Sequence, residues 1–307
     1  RLGVAAEQIV LTSGGTEANH LALLGCDGPR LASAIEHPSV LASVLAADPA
    51  TTLAPVDGLG RLDLDRLADL LARHRPALVA VMLANNETGV IQPVAEAARL
   101  AHAHGALLHC DAVQALGKLP FTLQDLGADM LALSAHKLGG PPGVGALVLR
   151  PGLEPRALLR GGGQELRRRA GTENLPGAVG FAAALAAPCD PAGMLALRMR
   201  LEDGLRRLRS EIVIVGEGAA RLPNTSCVLL PGRPAETQLM ALDLAGIAVS
   251  SGSACSSGKV GPSHVLAAMG IPPEPARCAI RISLSWATTA ADIDGFLEAY
   301  ARIAARA

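Results

Sequence analysis

Up to about residue 150, short apolar runs alternate with amphipathic stretches, and no other feature limits the fold as strongly. The runs at 8–12, 30–35, 52–55, 77–83, 106–110, 130–134 and 144–149 are predicted strands. Between them, 16–24, 39–46, 63–73 and 94–104 carry helical spacing. Such alternation predicts βαβ units around a mainly parallel sheet. The runs are continuously apolar, as expected of strands covered by helices on both faces.

Residues 151–176 are rich in Gly and Arg and read as loop, followed by helices at 178–187 and 194–210. A break around Pro188 places a domain boundary, giving 1–188 as a large domain and 189–307 as a smaller one. The latter mixes predicted strands (212–215, 226–230, 248–250, 279–284) with helices (236–245, 263–269, 291–304), an α+β pattern. Aromatic residues are only 2% of the chain, so both cores must be packed with Leu, Val, Ile and Ala. A net charge of −1 gives no basic footprint, and direct nucleic-acid binding is not expected. No apolar run approaches the ~18 residues of a membrane span. No secretory leader pattern is visible, and a cytoplasmic protein is expected. The six cysteines form no C-x-x-C pair, against a zinc ribbon or thioredoxin-type site.

Lysine is scarce: Lys118, Lys137 and Lys259 stand among 27 basic residues. Lys137 ends the apolar run of Leu131–Ser134. Where an amine must lose its proton and attack a carbonyl carbon, arginine cannot replace it. One reading is a lysine that covalently holds pyridoxal 5′-phosphate (PLP); the other is a lysine snorkelling at a strand end. Four further polar clusters fall at predicted strand ends. Ser13-Gly14-Gly15-Thr16 opens a helix, where free N–H groups receive anions, or is a plain N-cap. Asp111, with Gln114 three residues on, could hold a pyridine nitrogen protonated and reach a ring oxygen, or cap a helix. His37 could stack on a ring or be structural. Asn85-Asn86-Glu87-Thr88-Gly89 could bind or merely turn. Adjacent strand residues point to opposite faces, so His109, Cys110 and Asp111 make a poor metal set. Cys255 lies in the loop Ser250-Ser-Gly-Ser-Ala-Cys-Ser-Ser-Gly258 beside Lys259, a setting for a reactive thiolate or an inert loop cysteine.

These stretches, in order, resemble the PLP-dependent cysteine desulfurases of the NifS/IscS type, within the class V aminotransferases. The resemblance is carried by TSGGTEAN (12–19), EHPSV (36–40), NNETGVIQPV (85–94), HCDAVQALGK (109–118), SAHKLGGPPGVGAL (134–147), GGGQE (161–165), AGTEN (170–174), SSGSACSSG (250–258), SHVL (263–266) and IRISL (280–284). It implies an α/β, fold-type-I PLP-dependent transferase. In that fold a mainly parallel central sheet has helices on both faces and a smaller C-terminal α+β domain follows.

The resemblance also implies roles. Lys137 anchors PLP and moves protons, Asp111 pairs with the ring nitrogen, Gln114 meets the ring oxygen and His37 stacks. Gly15, Thr16, Ser134 and His136 hold the phosphate, and Thr172 reaches the cofactor of a partner subunit in a homodimer. Asn86 and Arg281 hold the carboxylate of L-cysteine. Cys255 takes the sulfur as a persulfide, leaving L-alanine, and passes it to acceptor or scaffold proteins of iron–sulfur cluster assembly or another sulfur pathway. In some relatives this loop cysteine also ligates a nascent iron–sulfur cluster. The family carries a further N-terminal segment with a DNAATT-like motif, and an N-terminal part of the large domain is expected to lie outside this sequence. Alternatives are another class V reaction, such as selenocysteine lysis or transamination, or an inactive scaffold.

Overall fold

The computed structural model describes residues 2–47, 49, 51–252 and 263–305. Cys255 and Lys259 therefore lie outside the described residues. Two compact units divide the chain. The first comprises Arg1–Pro55, Leu62–Ala84 and Gln92–Pro188; the second comprises Val56–Arg61, Asn85–Ile91 and Cys189–Ala307. The two short excursions were not expected from a linear division at Pro188. They have local causes: Val90 bridges Arg221, and the N–H of Leu222 donates to the carbonyl of Gly89. At Gly60 an added Cβ would lie 3.1 Å from the Met269 sulfur.

In the first unit the strands are β1 (Ile9–Thr12), β2 (Arg30–Ala32), β3 (Leu78–Ala80), β4 (Leu107–Asp111), β5 (Met130–Ser134) and β6 (Gly145–Leu149). Their helices are α1 (Gly15–Gly25), α2 (Pro38–Ala47), α3 (Leu64–His74), α4 (Val94–Ala103), α5 (Leu123–Leu126) and α6 (Leu175–Ala186). The sheet order is β1-β6-β5-β4-β3-β2. Strands β2 to β5 are parallel, and β6 runs antiparallel to both β5 and β1. Hence β1 points the same way as β5, and the carboxyl ends of β1, β2, β4 and β5 share one edge of the sheet. Ligands of open α/β sheets gather at that edge.

Successive strand residues face opposite sides. Met130 and Ala132 join Ala18, Leu21, Val40 and Val44 of α1 and α2 in one core layer. Leu131 and Leu133 join Leu67, Leu71, Ala97 and Ala101 of α3 and α4 in the other. On β4, Leu108 and Cys110 face the α3/α4 layer, which leaves His109 and Asp111 on the α1 side. The predicted strand at 52–55 is reduced to a single bridge between Ser33 and Ala54. Pro55 has no N–H to extend the ladder.

The second unit contains α7 (Pro191–Leu208), β7 (Val213–Ile214), β8 (Thr225–Leu229), α8 (Ala235–Leu244), β9 (Ser250–Ser251), α9 (His264–Ala268), α10 (Pro273–Ala276), β10 (Ala279–Ser283) and α11 (Ala290–Ala304). Its antiparallel sheet has the order β7-β8-β10-β9. Leu201 and Leu205 of α7 and Phe296 and Tyr300 of α11 pack on Val228, Ile280 and Ile282. The Tyr300 hydroxyl, fully buried, donates to Gln238 Oε1 at 2.7 Å. Among the described residues no single helix is long and apolar enough to cross a membrane.

Candidate active site

Four of the predicted clusters meet at the shared strand edge of the first unit. After β1, the chain turns through Ser13 and Gly14 into α1, whose first N–H groups lack intrahelical partners. A Cβ on Gly15 would come within 2.7 Å of Val113 Cγ2 and 3.6 Å of Ser134 Cβ, so only glycine lets these strand ends approach so closely. Thr16 is exposed at the helix start. Burial acts to raise the Glu17 carboxyl, but hydrogen bonds from Arg169 and Ser13 hold it below the usual carboxylate range. The Arg169 Nε–Glu17 Oε1 separation is 2.8 Å.

Strand β5 ends at Ser134, whose Oγ lies 2.8 Å from His136 Nδ1. A tight turn over Ala135–Leu138 follows and closes at Gly139, with φ of 85°. It presents His136 and Lys137 at the surface of the edge. Partial burial and then the neighbouring Lys137 charge push the imidazole of His136 below its ordinary range, so it is neutral near pH 7.

Asp111, at the end of β4, is buried. Its Oδ2 accepts from Asn19 Nδ2 at 2.8 Å, and its Oδ1 from the N–H of Val113 at 3.0 Å. Burial raises this acid, while the two donors and the charges of His37 and Lys137 act in the opposite direction. His37 precedes α2, and its Nδ1 accepts from the N–H of Ser39 at 3.1 Å. The Gln114 side chain is half-buried one turn beyond Asp111, and Thr172 is exposed on the loop before α6.

In the second unit Arg281, on β10, is held by Asn86 and Ser250. Its Nη1 donates to the Asn86 carbonyl at 2.9 Å and its Nη2 to Ser250 Oγ at 3.3 Å. Its Nε is buried and has no hydrogen-bond partner among the described residues. Asn85 acts as the turn former: its Oδ1 accepts from the N–H groups of Glu87 and Thr88 at 2.9 and 3.0 Å. Among the described residues no group of three or more His, Cys, Asp or Glu is placed to hold a metal ion.

Residues 2–296 match the aminotransferase class-V family. The chain belongs to the class-V aminotransferases. It is 49% identical to the cysteine desulfurase of Cereibacter sphaeroides, across 96% of this chain and 79% of that protein. Among solved structures, the NifS-like protein of Rickettsia africae superposes with a TM-score of 0.89 at 36% identity, covering 98% of this chain and 84% of that one. SspA in complex with cysteine gives 0.81 at 29% identity, covering 94% and 84%.

Class-V aminotransferases are PLP-dependent, and the first unit's groups suit that cofactor. Both oxygens of Asp111 accept from N–H donors, the state of a carboxylate that can face a protonated ring nitrogen. The helix start, with free N–H groups and nothing within 4 Å of the place a Cβ on Gly14 would take, suits a phosphate brought against the backbone. Lys137 is the lysine whose charge bears on Asp111.

Residue-by-residue reading missed several polar partners of this class-V site. Asn19, Ser39 and His109 are buried around Asp111 and His37. Glu36 is buried too; its Oε1 accepts from Ser33 Oγ at 2.6 Å and from the N–H of Met82 at 2.7 Å. The available signal was a charged or amide side chain inside an apolar run, as in Ile35-Glu36. Burial pushes the Glu36 carboxyl up from 4.5 to about 8. Below pH 4.5 both folded and unfolded chains hold this proton; between 4.5 and about 8 only the folded chain does. The stabilisation by this group is therefore lost as pH rises through that window. Glu36→Gln is expected to flatten the fall of melting temperature across that window. An unchanged slope in the variant would exclude Glu36 as its source.

Proposed function

We propose that the protein is a cysteine desulfurase: L-cysteine and an enzyme thiol give L-alanine and an enzyme persulfide. The observation that carries this reading is the convergence of Gly15, His37, Asp111, Ser134 and Lys137 at one sheet edge, in a chain of a PLP-dependent family. The 49% identity to a cysteine desulfurase selects this activity among class-V reactions.

When bound, PLP supplies an electron sink for the α carbon of the substrate. The chain's own groups do the rest. Asp111 would keep the ring nitrogen protonated through a charge-assisted hydrogen bond. Gln114 would meet the ring oxygen and His37 would stack on the ring. Gly15, Thr16, Ser134 and His136 would hold the phosphate, with the first N–H groups of α1 adding their dipoles. The amine of Lys137 would anchor the cofactor and then carry the proton at the substrate α carbon. Arg281, its buried Nε still lacking a partner among the described residues, would grip the substrate carboxylate beside Asn86. Cys255 Sγ would accept the sulfur and deliver it to acceptor proteins. Leu159, Leu166, Leu175 and Val179 are exposed on the stretch that carries Thr172. An exposed apolar surface of that kind supports a homodimer with Thr172 turned to the partner's cofactor.

The purified chain with PLP and a reducing thiol is expected to form alanine and sulfide in equal amounts from L-cysteine. Alanine without sulfide, or no product, would reject the assignment.

A further inference from the structure

A buried chain of hydrogen bonds in the first unit joins the two groups assigned to the cofactor ring. Asn19, on α1, is its node. The side chain is 1% exposed and touches three polar groups. Nδ2 lies 2.8 Å from Asp111 Oδ2 and 2.9 Å from Ser39 Oγ, and Oδ1 lies 2.8 Å from His109 Nε2. Ser39 Oγ in turn lies 2.8 Å from His37 Nδ1.

The direction of each bond follows from donor and acceptor chemistry. The amide nitrogen of Asn19 only donates and lies between Asp111 Oδ2 and Ser39 Oγ, so both accept from it, and the amide oxygen faces His109. That oxygen only accepts, so the proton of neutral His109 sits on Nε2. Burial pushes this imidazole down to about 3, which keeps it neutral at working pH. Its Nδ1 is then a bare, buried nitrogen without a partner among the described residues. On the other side, Asn19 donates to Ser39 Oγ, leaving that hydroxyl's proton for His37 Nδ1. The Ser39 N–H donates to the same nitrogen at 3.1 Å. With two donors on Nδ1, the neutral ring of His37 carries its proton on Nε2.

We infer that Asn19 is a positioning residue that aims the Asp111 carboxylate and, through Ser39, fixes the tautomer of His37. One amide thus orients both the group beneath the ring nitrogen and the group against the ring face. A carboxylate could not fill this place, because it would offer no donor to Asp111. The reach towards the cofactor rests on the PLP reading above; the bond directions do not.

The test reads the bond directions first, without cofactor or substrate. Long-range proton–nitrogen NMR on the full chain with ¹⁵N-labelled histidine should show His37 and His109 as neutral Nε2–H tautomers at pH 7. An Nδ1–H tautomer at either ring would overturn the inference, whatever reaction the protein performs. The second arm is the dissociation constant for PLP. Asn19→Ala should weaken binding by about 10–100-fold, by analogy with the loss of an outer partner of a metal ligand. It should also leave the His109 Nε2–H without its acceptor, visible as a shift of that nitrogen. Asn19→Ser, polar but too short to span the three partners, should repeat both effects if the alanine variant folds poorly. A dissociation constant within about twofold of wild type in a folded variant would make Asn19 a packing residue only.

Discussion

Lys137→Ala is expected to lower L-cysteine turnover by about 100- to 10,000-fold, the scale of a positioned acid–base group. Lys137 stands on the turn after β5, at the edge where β4 presents Asp111, and its charge bears on that carboxyl. Lys137→Arg keeps a cation there but not an amine able to lose its proton at neutral pH. It should therefore be as inactive as the alanine variant. A cation needed only for charge would instead be rescued by arginine. Cofactor binding should weaken without vanishing, since Gly15, Thr16 and Ser134 are untouched. Borohydride treatment of the PLP-loaded wild type, followed by peptide mapping, should fix the cofactor on Lys137. Fixation on Lys118 would move the assignment; its Nζ is engaged with the Gln114 carbonyl at 2.7 Å. Turnover by Lys137→Ala near the wild-type rate would remove Lys137 from the chemistry.

Much of the first unit was legible because its signals are local. Continuous apolar runs place β4 and β5 within a residue of their observed bounds, since strands buried on both faces need apolar side chains on both. The polar residues that interrupt the chain just after those runs are the ones that reach the shared edge. Asp111 and Ser134 are legible for that reason. What the runs do not carry is pairing. Nothing in the spacing shows that β6 lies antiparallel between β1 and β5, which aligns Thr12, Gly145 and Ser134 at one level. Nor does it show that Asn19 reaches Asp111 across 92 residues. Asn19 reads as an ordinary helix residue until the helix is laid on β4. By sequence Asn86 falls at a strand end like the others, yet it packs in the second unit against Arg281, through a contact 195 residues apart. The turn at Asn85 is local, but the destination of the segment is tertiary. Glu87 shows the same limit. It is buried, and its Oε2 accepts from Ser263 Oγ at 2.5 Å. Burial raises its carboxyl to about 7 against the opposing pull of Arg281, a setting no nearby residue announces.

Cys255→Ala is expected to keep the visible band of bound PLP while sulfide release falls by about 1,000-fold or more, as for loss of an essential nucleophile. The chemistry requires a thiolate, and three of the five described cysteines offer poor substitutes. Burial pushes Cys110 well above the ordinary thiol range and Cys227 up to about 12. Burial likewise raises Cys26, more than Arg30 lowers it. None of these three is a thiolate at neutral pH, and Cys110 and Cys227 are closed to solvent. Cys255 differs in sequence setting: Ser, Gly and Ala surround it and Lys259 follows four residues later. Alkylation of the protein during turnover, with mass spectrometry of the peptides, should find an extra sulfur on the peptide holding Cys255. Cys255→Ser tests the same point more narrowly, because a hydroxyl matches the shape but is not ionised near pH 7. Sulfide release at the wild-type rate from either variant would sink the assignment. It would require L-cysteine to yield its sulfur directly to the external thiol, with no persulfide on this chain.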